Sequence, residues 1–169
     1  MDKIYLVGLP GSGKSFTGKW LSQKMGWDFI DLDELIEKNE KQTIAQLFET
    51  LGEEGFRSIE QKYLKVTFSY KQCVISCGGG TPTWDQNMEN MGRNGLTVYL
   101  NTELSEIERR LEAGKETRPL LAQNQNLGNQ ITELNEKRRP YYSRAKVIWN
   151  RNEPTEQFFR SLDRLVSIY

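Results

Sequence analysis

The chain has 169 residues, the size of a single domain, and its 23 basic residues balance its 23 acidic residues. With 37% hydrophobic and 11% aromatic residues, the composition provides a buried core and excludes bulk disorder. The zero net charge lacks the broad positive surface of a non-specific nucleic-acid binder, so we expect no nucleic-acid partner. The absence of histidine excludes Ser-His-Asp and Cys-His catalysis and disfavours a zinc site.

The sequence also bears on location. No apolar run reaches the roughly 18 residues of a membrane span, and the first residues, MDKI, lead directly into a strand-like segment. We therefore expect a cytoplasmic protein without a membrane partner. We also expect a monomer. If Cys73 and Cys77 share one strand, their Cα atoms lie about 13 Å apart, which is beyond the reach of a disulfide. Both thiols are expected to be reduced.

Short apolar runs alternate with longer amphipathic stretches, the pattern of a parallel sheet covered by helices. Residues 33–69 are expected to be helical in pieces broken at Gly52 and Gly55. The polar segment 113–130 is expected to be irregular, and segments of this length in a small domain often form lids. The predicted strands are 3–7, 27–31, 73–76, 96–100 and 147–149, and the other predicted helices are 15–25, 103–112, 131–142 and 158–168.

Residues 8–15, GLPGSGKS, fit the phosphate-binding motif G-x-x-x-x-G-K-[ST] between an apolar strand and a helix. Glycines let consecutive backbone N–H groups surround phosphate oxygens, and the helix N-terminus adds positive potential behind them. We expect Lys14 to neutralise the β- and γ-phosphates of a nucleotide and the Ser15 hydroxyl to ligate Mg²⁺. An ordinary glycine-rich turn is the alternative interpretation.

Residues beyond this loop are candidates for a second substrate site. Asp31 and Asp33 are expected to end the second strand with both carboxylates on one side, at the edge where α/β sheets bind ligands. Asp33 is alternatively the N-cap of the helix that follows. The triple glycine 78–80 indicates close backbone approach to a ligand, or simply a turn. Arg57 and Glu60, three residues apart on a helix, are also consistent with a surface ion pair.

Six motifs together, GLPGSGKS, FIDLD, GFRSIE, CGGGTP, RPLL and RRPYY, resemble shikimate kinase over nearly the whole chain. The resemblance implies an α/β fold, the P-loop NTPase fold of nucleoside-monophosphate-kinase type, with a five-stranded parallel sheet flanked by helices. It also implies transfer of the ATP γ-phosphate to the 3-hydroxyl of shikimate, which gives ADP and shikimate 3-phosphate in aromatic amino-acid biosynthesis. The implied single domain has a core of residues 1–32, 71–112 and 143–169, a substrate-binding region 33–70, and a lid at about 113–128.

For the acceptor, shikimate, the resemblance implies contacts at each matching residue. Asp33 would hold shikimate hydroxyls and is the candidate base. Arg57 and Arg138 would grip the carboxylate, since two guanidinium groups suit a carboxylate ligand. Backbone contacts would come from Gly78, Gly79 and Gly80.

For ATP and Mg²⁺, the resemblance implies a second set of residues. Ser15 and, through water, Asp31 would hold the metal. Arg118 would close with the lid onto the transferring phosphate and, with Asp33 and Lys14, would be catalytic. Arg151 or Asn152 is an alternative contact for adenine. The implied nucleotide-binding residues are Gly11, Ser12, Gly13, Lys14, Ser15, Phe16, Arg110, Arg118 and Pro154, with Arg110 and Pro154 flanking adenine.

Two other functional classes stay open at this point. A gluconate or nucleotide kinase of the same fold would share the phosphate loop but would need a different acceptor site. A non-catalytic, nucleotide-dependent regulator would not need Lys14, Ser15, Asp33 and Arg118 together. A GTPase is disfavoured because the guanine-reading N-K-x-D pattern is absent.

Overall fold

The structure is a computed structural model, and it describes residues 1–114, 126–150 and 155–168. At its centre is a parallel five-stranded sheet in the order β2-β3-β1-β4-β5. The strands are β1 (Lys3–Val7), β2 (Asp28–Asp31), β3 (Cys73–Ser76), β4 (Leu96–Leu100) and β5 (Val147–Trp149). The five predicted strands are therefore confirmed, with β2 beginning one residue later than expected.

Seven helices lie in the described part of the chain. They are α1 (Lys14–Met25), α2 (Leu32–Glu40), α3 (Ile44–Thr67), α4 (Asn87–Asn94), α5 (Leu104–Ala113), α6 (Leu127–Tyr142) and α7 (Glu156–Ile168). The predicted break at Gly52 is confirmed, because Gly52 has a left-handed φ of 67° and interrupts α3. The break expected at Gly55 is wrong, since α3 continues through it.

Two stretches of helix differ from the sequence predictions. Helix α4 was not predicted, and a short 3-10 turn, Thr81–Thr83, precedes it. Helix α6 begins at Leu127 and α5 extends to Ala113, so both ends of the segment expected to be irregular are helical. Residues 115–125, the middle of the predicted lid, lie outside the described residues.

Helices cover both faces of the sheet. All residues of β1, β3 and β4 are buried, as expected of parallel strands covered on two sides. On one face, Ile4 and Leu6 pack with side chains of α1 and α7. On the other, Tyr5 and Val7 pack with side chains of α2, α3, α4, α5 and α6. None of the helices in the described residues is both long and apolar enough to cross a bilayer.

The register of the strands brings three loops to one edge of the sheet. Leu6 of β1 and Asp31 of β2 are both aligned with Ser76 of β3. The phosphate loop after β1, the start of α2 after β2 and the triple glycine after β3 therefore begin at the same edge. In parallel α/β sheets this carboxyl edge is the usual place for ligands.

The two cysteines are consistent with the expected reduced state. Both Cys73 and Cys77 are free and buried. Burial raises the pKa of Cys73 to about 11, so its reactive thiolate form is scarce at neutral pH. Cys77 lies one residue beyond the end of β3, not on the strand as expected, although its N–H still donates to the carbonyl of Leu6.

Candidate active site

The phosphate loop is shaped by its glycines and by Lys14. Gly13 has a left-handed φ of 91° immediately before α1, a conformation that a side chain would strain. The Lys14 ammonium donates to the carbonyls of Gly8 and Leu9, at 3.0 and 2.9 Å. These contacts hold its positive charge across the loop, where the phosphates of a nucleotide are expected.

A residue far along the chain supports the loop from behind. The buried hydroxyl of Thr102 donates to the carbonyl of Ser12 at 3.0 Å, across 90 residues of sequence. Holding this carbonyl helps fix the loop in which Ser12 lies. Thr102 was not singled out from the sequence, because a lone threonine after a strand carries no recognisable pattern.

Arg110 of α5 lies beside the same loop. Its Nε donates to Glu106 at 2.6 Å, and its Nη1 donates to the carbonyl of Gly11 at 3.4 Å. The structure thus brings Arg110 into contact with the phosphate loop. Phe16, in the first turn of α1, has a side chain that is 67% exposed.

Asp31 connects β2 to the phosphate loop. Its Oδ2 accepts a 2.7 Å hydrogen bond from the Ser15 hydroxyl, and its Oδ1 accepts one from the Asp33 N–H at 3.1 Å. Asp31 is therefore the N-cap of α2, and the prediction that Asp33 caps this helix is wrong. The expectation that both residues end β2 is also wrong, because the cap turns the chain into α2 at Leu32.

Ser15 and Asp31 together offer two oxygen atoms that could ligate a metal ion. A hydroxyl and a carboxylate in contact are hard ligands of the kind that Mg²⁺ takes beside nucleotide phosphates. The chemistry of this pair fits the metal implied by the phosphate loop.

The triple glycine lies against charged side chains from two other elements. A Cβ atom at Gly78 would lie 2.6 Å from Oε1 of Glu60 and 3.1 Å from Oδ1 of Asp33. At these distances an added carbon must displace its neighbour. Gly78 therefore lets α2 and α3 bring two carboxylates close to the end of β3.

The next two glycines contact the two arginines. A Cβ at Gly79 would lie 2.7 Å from Nη1 of Arg138, and one at Gly80 would overlap the guanidinium of Arg57. Arg57 comes from α3 and Arg138 from α6, so they are 81 positions apart in sequence. The glycine turn thus brings both arginines, together with Asp33, to one place beside the phosphate loop.

Arg57 is held by a buried acid. Its Nη1 and Oε2 of Glu60 are 2.9 Å apart, and the two residues are only 6% and 1% exposed. The interpretation of this pair as a surface ion pair is therefore wrong, because α3 packs this face against the triple glycine. Glu60 also accepts a 2.6 Å hydrogen bond from the Thr81 hydroxyl. Neither Glu60 nor Thr81 was predicted as part of the site.

The electrostatic environment makes Asp33 less acidic. Burial is the main cause, and repulsion by the carboxylates of Asp31 and Glu60 adds to it, against the attraction of Lys14. Together these effects raise the pKa of Asp33 to about 6. A carboxylate with this pKa is mostly ionised at neutral pH, yet it accepts a proton more readily than an ordinary aspartate.

The comparisons with known proteins identify the family. The family model described as shikimate kinase matches residues 10–166. The chain belongs to the shikimate kinase family. This makes it an ATP-dependent kinase that phosphorylates an alcohol group.

Individual relatives agree with this assignment. The shikimate kinase of Phocaeicola vulgatus is 42% identical over 155 residues, covering 90% of this chain and 89% of that protein. The crystal structure of shikimate kinase from Bacteroides thetaiotaomicron has a TM-score of 0.87 at 38% identity, with 99% and 97% of the two chains covered. Shikimate kinase from Acinetobacter baumannii, solved in complex with shikimate, has a TM-score of 0.82 at 34% identity, with 99% and 91% covered.

A more distant kinase shares only the fold. A gluconokinase from Sinorhizobium meliloti has a TM-score of 0.62 at 16% identity, with 99% of this chain and 94% of that chain covered. The expected fold class, a P-loop kinase with a parallel five-stranded sheet, is confirmed. Four residues assigned from the resemblance or kept as alternatives lie outside the described residues, namely Arg118, Arg151, Asn152 and Pro154.

Proposed function

We propose that the described site transfers the γ-phosphate of ATP to the 3-hydroxyl of shikimate and releases ADP and shikimate 3-phosphate. The observation that carries the proposal is the convergence of Asp33, Arg57 and Arg138 around the triple glycine 78–80, next to the phosphate loop. These three side chains offer one anionic acceptor and two guanidinium groups. That set matches a small acid that carries several hydroxyl groups.

The two arginines would bind the carboxylate of the acceptor. Guanidinium groups pair with carboxylates through parallel, charge-assisted hydrogen bonds. Because Glu60 occupies Nη1 of Arg57 and holds the side chain in place, Arg57 would be pre-organised for this contact. The acceptor's carboxylate would then set the position of its ring, and with it the hydroxyl that reacts.

Asp33 would act on that hydroxyl. As the hydroxyl oxygen bonds to the γ-phosphorus, the bond to the β–γ bridging oxygen breaks, and the hydroxyl proton passes to an Asp33 carboxylate oxygen. The leaving group is ADP. Since phosphoryl transfer passes through a loose transition state, the main contribution of Asp33 would be orientation of the hydroxyl, followed by acceptance of its proton.

Lys14 and the loop N–H groups would bind the phosphates of ATP and balance the negative charge on the transferring group. We propose Mg²⁺ as the divalent ion, held by Ser15 directly and by Asp31 through water. When bound, the ion would neutralise phosphate charge beside Lys14.

Several assignments remain predictions. They are the closure of Arg118 onto the transferring phosphate with a lid at about 113–128, the adenine contacts of Arg110 and Pro154, and the substrate-binding region 33–70. A monomer in the cytoplasm is likewise predicted.

Arg118→Ala should lower kcat more than it raises KM for shikimate, because the contact of Arg118 with the phosphate is expected to form mainly in the transition state. Equal effects on both constants would contradict that role.

An ADP-release assay tests the proposed function. Purified protein with ATP and Mg²⁺ is assayed alone and then with shikimate, quinate, gluconate or AMP. Shikimate should give by far the highest kcat/KM. Preference for gluconate or AMP would support the alternative kinases, and no stimulation by any acceptor would support a regulator.

A further inference from the structure

A buried tyrosine at the end of α6 holds one peptide of the glycine turn. The Tyr142 hydroxyl donates a 2.6 Å hydrogen bond to the carbonyl of Gly79, which is 63 residues away in sequence, and Tyr142 is 0% exposed. Burial raises the pKa of Tyr142 to about 12, against the opposing effects of the Arg138 charge and of hydrogen bonding between the Arg138 side chain and the tyrosine hydroxyl. The hydroxyl therefore keeps its proton at physiological pH and remains a donor.

The ring of Tyr142 is fixed by a second tyrosine. The rings of Tyr142 and Tyr99 pack with centroids 5.1 Å apart and planes inclined at 37°. The Tyr99 hydroxyl donates instead to Oδ1 of Asn101, at 2.9 Å, and not to the glycine turn. The two packed tyrosines thus direct their hydroxyls to different parts of the molecule.

The hydrogen bond from Tyr142 determines where the next N–H points. The peptide between Gly79 and Gly80 is trans, so the Gly80 N–H points away from the Gly79 carbonyl and from Tyr142. Within the described residues this N–H has no hydrogen-bond acceptor. Gly80 also lies against the guanidinium of Arg57. A free donor beside an arginine is suited to an anionic ligand.

We propose that Tyr142 is a positioning residue for the acceptor: by holding the Gly79 carbonyl, it orients the Gly80 N–H toward the carboxylate bound at Arg57. The inference rests on the proposed function, because it concerns the same acceptor site. It assigns a role in substrate affinity to a side chain that lies behind the glycine turn. Glycine is mobile, so without this hydrogen bond the peptide is free to rotate and the N–H loses its fixed direction.

Tyr142→Phe tests the inference, with Tyr99→Phe as the matched control. Each substitution removes one buried hydroxyl from the same ring pair and keeps the ring. For Tyr142→Phe we expect KM for shikimate to rise about threefold to tenfold, the range for one lost hydrogen bond. KM for ATP and the melting temperature should match those of Tyr99→Phe, and Tyr99→Phe should keep the wild-type KM for shikimate.

Two results would overturn the inference. One is a wild-type KM for shikimate in Tyr142→Phe, and the other is an equal rise in both variants, which would indicate loss of packing alone. If Tyr142→Phe does not fold, amide exchange in the wild type gives the answer: shikimate should slow exchange of the Gly80 N–H, and unchanged exchange would refute the proposed contact. Failure of the proposed function is a different result, namely wild-type protein that shikimate does not stimulate.

Discussion

Arg57 and Glu60 form an ion pair inside the protein, with Nη1 and Oε2 2.9 Å apart and both side chains almost fully buried. A buried pair of this kind is expensive to break, because removal of one partner leaves the other charged and unpaired. The pair therefore links the binding of the acceptor to the stability of α3.

Arg57→Ala should accordingly have two effects. The free energy of unfolding should fall by about 3 to 5 kcal/mol, the usual cost of leaving a buried charge unpaired. Shikimate affinity should also fall, by about 2 to 5 kcal/mol, because the carboxylate loses a desolvated partner. Chemical denaturation measures the first effect and calorimetry the second. A stable variant with normal affinity would show that the pair has neither role.

The raised pKa of Asp33 is directly testable in the nucleotide-free protein. A carboxyl-carbon NMR titration should give Asp33 a midpoint near the value of about 6 that burial and its acidic neighbours impose. Asp31→Asn removes a like charge and keeps the oxygen that accepts the Asp33 N–H, so the midpoint should move down. An Asp33 midpoint near 4 in the wild type would contradict the described environment.

The raised pKa of Asp33 also means that its ionised carboxylate destabilises the folded protein. Its pKa is raised from 3.8 to about 6, so between these values the folded protein binds more protons than the unfolded chain. The free energy of unfolding therefore falls as pH rises through this window and stays lower by about 3 kcal/mol above it.

Asp33→Asn should therefore separate stability from activity. At pH 7 to 8 the variant should be more stable by about 1 to 3 kcal/mol, and the gain should vanish near pH 4, where Asp33 is protonated. Its kcat should fall by orders of magnitude, while KM for shikimate changes less. Urea denaturation at the two pH values measures the stability difference. A variant that is less stable at neutral pH would refute this interpretation.

Lys14→Ala should reduce kcat by orders of magnitude, because it removes a fixed positive charge that faces the transferring phosphate. Lys19→Ala is a suitable control, since Lys19 lies on the same helix and its ammonium is 5.7 Å from the centre of the Phe29 ring, outside the phosphate loop. Steady-state assays with saturating ATP and shikimate should show wild-type turnover for the control only. Near-normal turnover in Lys14→Ala would rule out the assigned role of the loop.

The hydrogen bond from Thr102 to the phosphate loop can be tested by substitution. Thr102→Val keeps the shape of the side chain and removes the hydrogen bond to the Ser12 carbonyl, so KM for ATP should rise about threefold to tenfold. Thr102→Ser retains the hydroxyl and should behave like the wild type. KM for shikimate should stay constant in both variants. If valine and serine variants have the same KM for ATP, the hydrogen bond does not support nucleotide binding.

The sheet was predictable because four of its strands, β1, β3, β4 and β5, are short and mostly apolar runs between turn residues. Helix α4 was not, because its sequence, NMENMGRN, has methionines as its only apolar residues and contains asparagine and glycine, which disfavour helix interiors. The alternation in FIDLD suggested that Asp33 continues a strand. The chain turns earlier because the carboxylate of Asp31 accepts the Asp33 N–H and starts α2.

The charged residues of the site could be named from motifs, whereas the residues that hold them could not. Glu60 looked like the partner in a surface pair, since sequence spacing does not reveal burial. Tyr142 and Thr102 each support a loop that lies 63 or 90 residues away. Such contacts depend on how helices and strands pack, and no local pattern indicates them.

In the proposed function, Arg138 binds the acceptor's carboxylate. Arg139 is a matched control, because it is the next residue on α6 and its side chain is exposed, whereas Arg138 reaches Gly79. Calorimetric titration of shikimate into Arg138→Ala, Arg139→Ala and the wild type, each with ADP and Mg²⁺, measures what this contact contributes to binding. We predict that Arg138→Ala binds shikimate about 30-fold or more weakly, as expected for loss of a charge-assisted pair, with unchanged ADP affinity, and that Arg139→Ala binds like the wild type. Wild-type affinity in Arg138→Ala, or equal losses in both variants, would show that Arg138 does not bind the carboxylate specifically.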